Sequence, residues 1–272
     1  MPGAVDETGL AGDVTSVVTC GSRGRGLDLC RPTPEANVGM TPITYRRRVS
    51  SVVVVLAALS TCMAPRAMAL GRARILFGGS EAGGGYNVYV ARPDGAQLEQ
   101  LTFFDGKRDY ASDPAWSPDG RRIAFSATRE WVTPRIYVMD ADASNHRLIS
   151  EGGSDRAPTW SPRGNAVAFW SARWPTTQGI YVADVAGGPD RRLTSLDSYA
   201  YYPSWRPVGD AIAYTTSHGA DGMNIHIMDA QGRRTAQITA RPSSDGWPAW
   251  HPREEAIAFA AWDGDNDAPD IH

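Results

Sequence analysis

Few side chains in this sequence could make or break bonds, and their spacing does not suit that work. Gly78-Gly79-Ser80-Glu81-Ala82 comes nearest to a Gly-x-Ser-x-Gly nucleophile elbow, but Ala82 stands where the second glycine is needed. There is no His-Glu-x-x-His pair and no phosphate-cradling glycine loop. Asp263-Gly264-Asp265-Asn266-Asp267-Ala268 has the rhythm of a calcium loop, yet Ala268 replaces the glycine of the sharp turn, so it reads as a polar inter-strand loop. His226 alternates with Ile225 and Ile227 as a strand histidine, while His146, His218 and His251 lie in or beside turns without a partner at metal spacing. No catalytic residue, metal or cofactor is expected. What remains is the chemistry of binding: Phe103, Phe104, Tyr110, Trp131, Trp174, Tyr199, Tyr201, Tyr202 and Trp247 recur in loop-like stretches beside Asp109, Asp113, Arg156 and Asp245. Aromatic and arginine side chains dominate binding hot spots. Of these, Asp113, Arg156, Tyr202, Trp247, Tyr201 and Tyr110 are the candidate binding residues.

The elements that would position them form a repeat. Asp113-Pro114-Ala115-Trp116-Ser117-Pro118-Asp119-Gly120 returns with variation around Trp160, Trp205 and Trp250, so the tryptophans stand at 116, 160, 205 and 250. A shared step of that size is the mark of a repeat architecture. In each unit Pro-x-Trp ends a strand (A), and Ser-Pro-Asp-Gly or its variant makes a type I turn, with proline presetting φ and glycine closing it. A short apolar strand follows (B): Ile123-Ala124-Phe125, Val167-Ala168-Phe169, Ile212-Ala213-Tyr214 and Ile257-Ala258-Phe259. Strand C alternates with period two, as in Ile136-Tyr137-Val138-Met139-Asp140, and strand D ends at Leu101-Thr102, Leu148-Ile149, Leu193-Thr194 and Ile238-Thr239. Four antiparallel strands per unit, packed radially, make an all-β propeller. The motif tryptophans are expected in the blade cores.

Residues 112–143 in particular, with Pro-x-Trp-Ser-Pro-Asp-Gly, Ile-Ala-Phe and Ile-Tyr-Val-Met-Asp-Ala-Asp, resemble the WD40-like (PD40) beta-propeller repeat of the TolB family, and the resemblance extends over about 200 residues. It implies a six-bladed propeller acting as a non-enzymatic binding scaffold in the bacterial envelope, with envelope proteins or glycans as partners. The alternative is the propeller of a prolyl oligopeptidase-type serine peptidase whose hydrolase domain lies outside this chain. Two departures from the family stand out. No α/β domain fits between Ala69 and Ile75, and the repeats begin at strand B and run out after two residues of a strand C at Ile271-His272. About four and a half repeats are therefore expected, with open strand edges that would favour self-association. In a propeller strand A is innermost, so Asp113, Arg156 (one residue earlier in its repeat), Tyr202 and Trp247 are expected to ring the channel mouth on the side of the D-to-A and B-to-C loops. The near-identical A-to-B turns read as structural punctuation.

With 272 residues, 42% hydrophobic content and a net charge of −3, the chain suits one large globular domain and carries no bulk attraction for nucleic acid. Arg46-Arg47-Arg48, the apolar run from Val52 to Met63 and Ala67-Met68-Ala69 have the order of a secretory signal peptide, and the run is short for the roughly 20 residues of a membrane span. Three segments follow: 1–39 as an upstream stretch preceding the true start at Met40, 40–69 as the signal, and 70–272 as the propeller. The product would be periplasmic or secreted, or a lipoprotein through Cys62 in Leu59-Ser60-Thr61-Cys62. Cys20, Cys30 and Cys62 all precede Leu70, so the mature domain holds no thiol chemistry.

Overall fold

The structure is a computed structural model that describes residues 54–55, 73–80, 84–105, 109–129, 133–175, 178–197, 199–217, 222–240, 244–262 and 270–271. These form five antiparallel sheets in chain order, here called blades 1 to 5. Blade 1 contains β1 (Val54–Val55), β2 (Ile75–Ser80), β3 (Tyr86–Ala91) and β4 (Glu99–Gln100). Blade 2 contains β5 (Tyr110–Trp116), β6 (Arg122–Thr128), β7 (Arg135–Asp140) and β8 (Arg147–Leu148). Blade 3 contains β9 (Ser154–Trp160), β10 (Ala166–Ala172), β11 (Gly179–Asp184) and β12 (Arg191–Arg192). Blade 4 contains β13 (Tyr199–Trp205), β14 (Ala211–Ser217), β15 (Met223–Asp229) and β16 (Ala236–Gln237). Blade 5 contains β17 (Ser244–Trp250), β18 (Ile257–Trp262) and β19 (Asp270–Ile271).

The expected A-B-C-D order holds in blades 2 to 4, and neighbouring A strands (β5, β9, β13, β17) pack on one another, which puts them innermost. Among the described residues the sheets pack in sequence and do not close into a ring. Blade 1 departs from the expected start at strand B: Val54 and Val55 pair with Phe77 and Leu76, in the place of strand A. Valine is a strong strand former, and the inner edge of β2 offers unpaired backbone groups. The rest of 1–39 and 40–69 lies outside the described residues, as does Asp263 to Ala268.

Burial follows the two faces of each sheet. One cluster joins Ala124, Ile136 and Val138 of blade 2 to Trp160, Val167 and Phe169 of blade 3, and equivalent clusters fill the gaps between blades 1 and 2 and between blades 3 and 4. Trp160 and Trp205 are buried, whereas Trp116 and Trp250 are only partly so. The A-to-B turn is built as its sequence implies. The Gly120 and Gly164 amides donate to the Ser117 and Ser161 carbonyls, and the two serine hydroxyls accept from the amides that open strand B, Arg122 and Ala166.

A second repeated fastening corrects the reading of strand D. Thr102, Ser150, Thr194 and Thr239 each accept, through the side-chain hydroxyl, the amide of the residue that starts the central part of strand C (Val88, Ile136, Ile180, Ile225) at 2.9–3.1 Å. The unit of blade 2 therefore ends at Ile149-Ser150, one residue later than Leu148-Ile149. Leu148 is exposed and Ile149 buried, as that register requires.

Candidate functional site

Each inner strand carries a bulge at the same place. The A–B ladder shifts register between Ser112 and Ala115, Tyr201 and Ser204, and Gly246 and Ala249, and opposite Ala168 and Trp170 in blade 3. At these points Asp113, Ala157, Tyr202 and Trp247 take left-handed backbone with φ near +50°. The next residue is always proline, which has no amide to lose from a ladder and is tolerated at bulges. Left-handed non-glycine residues are uncommon, and their recurrence at functional sites gives the bulge row its interest. Arg156 is not in this row. Its blade places Ala157 there instead, and Arg156 pairs in regular register with Trp170.

The bulges bring the candidate residues together in three groups. Tyr201, Tyr202 and Trp247 form the middle of an aromatic ladder. Trp170 lies 5.8 Å from Tyr201 and 6.2 Å from Tyr202, Tyr202 lies 5.6 Å from Trp247, and Trp247 lies 4.8 Å from Trp262, centroid to centroid. The ladder crosses blades 3, 4 and 5, mostly at edge-to-face angles that aromatic quadrupoles favour. Trp247 is 47% exposed and presents its ring to solvent. Burial, with Tyr199 and Tyr202 alongside, raises the Tyr201 phenol above its ordinary range. Arg156 and Tyr110 make the second group: Arg156 Nη2 donates to the Tyr110 hydroxyl at 2.6 Å, with the guanidinium 5.6 Å from the ring. Since Arg156 sits opposite Trp170, directly paired side chains on one face join this group to the ladder. Asp113 stands apart. It is exposed, accepts from the Ser112 hydroxyl at 3.1 Å, and adds its charge to the burial that raises the Tyr86 phenol.

Trp170 and Trp262 were not among the sequence candidates because they belong to strand B. The signal was present: the fixed length of the A-to-B turn sets Trp170 opposite Arg156 and Trp262 opposite Ser244. Asp245, expected among the loop charges, is fully buried. Trp174 and Phe103 are almost bare to solvent, and Trp131 lies outside the described residues. Elsewhere in blade 3 a buried ionic brace ties strands A and B to the residues before β12. Arg173 is bidentate to Asp190 at 2.7 and 2.6 Å and lies 3.7 Å from Asp155. Burial pushes the Asp155 carboxyl up, against the pull of Ser150, Ser171 and Arg173.

The arrangement offers flat π surface, one guanidinium and one exposed carboxylate. It can stack on and orient a planar or apolar group, and it holds no nucleophile. Among the described residues no three His, Cys, Asp or Glu side chains converge as metal ligands. The His226 Nδ1 is 3.0 Å from the Thr216 hydroxyl, His146 contacts the Ala143 carbonyl, and the His251 Nδ1 accepts the Glu254 amide within its turn. Among the described residues no helix is long and apolar enough to cross a membrane.

Comparison with known proteins agrees with the repeat. The TolB beta propeller domain family matches residues 60–266. A protein assigned as TolB from Agrobacterium tumefaciens superposes with a TM-score of 0.60 at 22% identity, over 71% of this chain and 68% of that one. TolB from Acinetobacter baumannii gives 0.58 at 20% identity, over 73% of this chain and 53% of that one. A prolyl endopeptidase gives 0.54 at 13% identity, over 70% of this chain and 31% of that one. No curated protein matches significantly. At these identities the superpositions speak for the fold alone, while the family match spans most of the sequence: the chain belongs to the TolB beta propeller domain family.

Proposed function

We propose that this chain is an exported, non-catalytic propeller that captures an envelope protein or glycan on the face of its D-to-A and B-to-C loops. One observation carries the reading: the aromatic ladder Trp170–Tyr201–Tyr202–Trp247–Trp262 runs unbroken across three blades and leaves Trp247 open to solvent. A core does not need an aromatic row at its solvent edge, whereas a recognition surface on a rigid scaffold does. The peptidase alternative rests on fold likeness alone. Residues 40–69 act in this reading as the export signal, giving a periplasmic or secreted protein, or one lipid-anchored through Cys62; cleavage takes β1 with the signal and leaves β2 as the inner edge of blade 1.

A single experiment tests both halves. Expressed in a Gram-negative host, the protein is recovered from the periplasm with Leu70 at its N-terminus, and it retains a partner from envelope extract. Substituting Arg156, Tyr202 and Trp247 together by alanine abolishes that capture and leaves the β-sheet circular dichroism intact. Undiminished capture by the triple variant would sink the choice of face, and unprocessed protein held in the cytoplasm would sink the export reading.

A further inference from the structure

The opposite face, formed by the A-to-B turns, carries a feature that its repetitive sequence conceals. Between blades 4 and 5 the Arg206 guanidinium lies 5.4 Å from the Trp250 ring and pairs with Glu255 at 2.8 Å. Between blades 2 and 3 the Arg122 guanidinium lies 5.1 Å from the Trp160 ring and donates to the Gly164 carbonyl at 2.8 Å. Trp160 and Trp250 are thus each covered by an arginine of the preceding blade. Blade 3 supplies neither arginine for Trp205. The counterpart of Arg122 is Ala166, and the counterpart of Arg206 is Ser161.

What is left there is an open pocket of about 360 Å³ whose lining includes Ser161, Ala166, Trp205, Asp184 and Asp210, with one Asp184 oxygen accepting the Ala186 amide at 2.7 Å. Both carboxylates hold positions that face an arginine elsewhere. Asp184 lies opposite Ala166, as Asp140 lies opposite Arg122. Asp210 is the counterpart of Glu255, the partner of Arg206. The turn glycines agree: a Cβ on Gly164 would meet the Arg122 guanidinium at 3.5 Å, whereas one on Gly209 would meet nothing within 4 Å. Among the described residues the Trp205 Nε1, like that of Trp170, finds no acceptor, while those of Trp160 and Trp250 donate across the junction to Ala115 and Ser204.

We infer that this cavity is a socket for a guanidinium supplied from outside the chain, the side chain of an arginine in a partner polypeptide. The ring face and two carboxylates are present, and the cation that the neighbouring junctions hold is missing. Guanidinium is favoured over ammonium because it is planar, stacks on an indole and is more weakly hydrated. Arg163 and Arg191 also line the pocket. Arg191 is engaged with the Gln231 carbonyl at 3.2 Å, and Arg163 is an exposed turn-tip side chain in the place of Asp119. This site is independent of the aromatic ladder.

The test is titration of the full chain at constant ionic strength, followed through the Trp205 indole resonance, which Trp205→Phe identifies. N-acetyl-arginine amide shifts the resonance saturably, and N-acetyl-lysine amide binds at least about fivefold more weakly. Ala166→Arg, which fills the socket from within, abolishes the shift and raises Tm. Asp184→Asn weakens binding and guards against a misfolded Ala166→Arg variant. The blocked arginine binds at least as well as free arginine if the source is a polypeptide, and a preference for the free amino acid would overturn that source. Equal response to lysine, no saturable shift, or a response to acetate through Arg163 and Arg191 would overturn the socket itself.

Discussion

At the junction of blades 2 and 3, Trp160 is held in three ways. Its ring is buried with Val167 and Phe169, its Nε1 donates to the Ala115 carbonyl at 3.0 Å, and Arg122 covers its face. At the junction of blades 3 and 4, Trp205 is buried in the equivalent cluster but lacks the other two fastenings, and the backbone amide of Trp205 bonds the Thr159 hydroxyl instead. The two junctions come from nearly the same words of sequence. In a repeat protein stability is close to a sum over neighbouring interfaces, so a weaker interface can be carried by stronger ones beside it. Junction 3–4 is therefore where the scaffold can spare its own contacts for an external one.

The largest effect that would sharpen this contrast is truncation of the two tryptophans. Trp160→Ala is expected to cost about 3–5 kcal/mol, the usual range for emptying a buried aromatic site. Trp205→Ala is expected at or below the lower end of that range, because a cavity already adjoins it and no hydrogen bond is lost. Denaturant unfolding of both variants measures the difference, and equal costs would break the comparison.

A smaller and cleaner effect isolates the indole N–H. Trp160→Phe leaves most of the ring but strands the Ala115 carbonyl, and a lost hydrogen bond of this type costs about 1 kcal/mol. Trp205→Phe removes an N–H that has no acceptor, so it should cost clearly less or even stabilise by deleting a buried unsatisfied donor. If Trp205→Phe proves the more damaging, the indole N–H has an acceptor after all and the junctions are alike.

Much of the architecture was legible because each repeat states its strands with local rules. Pro-x-Trp, the Ser-Pro-x-Gly turn and the alternation of Ile-Tyr-Val-Met predict A, B and C, and all three form where expected. The strand D end was misjudged in blade 2 because Ile149 resembles the threonines in spacing, whereas the hydrogen bond is made by Ser150. The bulge row itself was not legible, because left-handed backbone leaves no trace in residue type when the position holds Asp, Ala, Tyr or Trp by turns. The aromatic ladder was half legible. Tyr201, Tyr202 and Trp247 lie on strand A, but Trp170 and Trp262 join them only through inter-strand register. The socket at Trp205 was hidden altogether, since it shows only when Ser161 and Ala166 are set against Arg206 and Arg122, the residues at the same places in other blades.

The smallest expected effect concerns the aromatic of strand B at each junction. Junction 2–3 uses Phe169, and junction 3–4 uses Tyr214, which is buried at 3% exposure beside Trp205 and Leu193. Burial disfavours the phenolate and pushes the Tyr214 pKa up to about 12 from 10.0. The folded state then keeps a proton that the unfolded chain gives up. Whatever stability this difference contributes is fully present below pH 10 and is lost as pH rises from 10 toward about 12. Tyr214→Phe removes the group, so the variant should lose less stability over that interval while matching the parent at neutral pH. Phe169→Tyr is the reciprocal change, and it should introduce an alkaline loss at junction 2–3. Parallel unfolding curves for parent and Tyr214→Phe between pH 9 and 12 would mean that the phenol reaches solvent, and that junction 3–4 is open around Tyr214 as well as at Trp205.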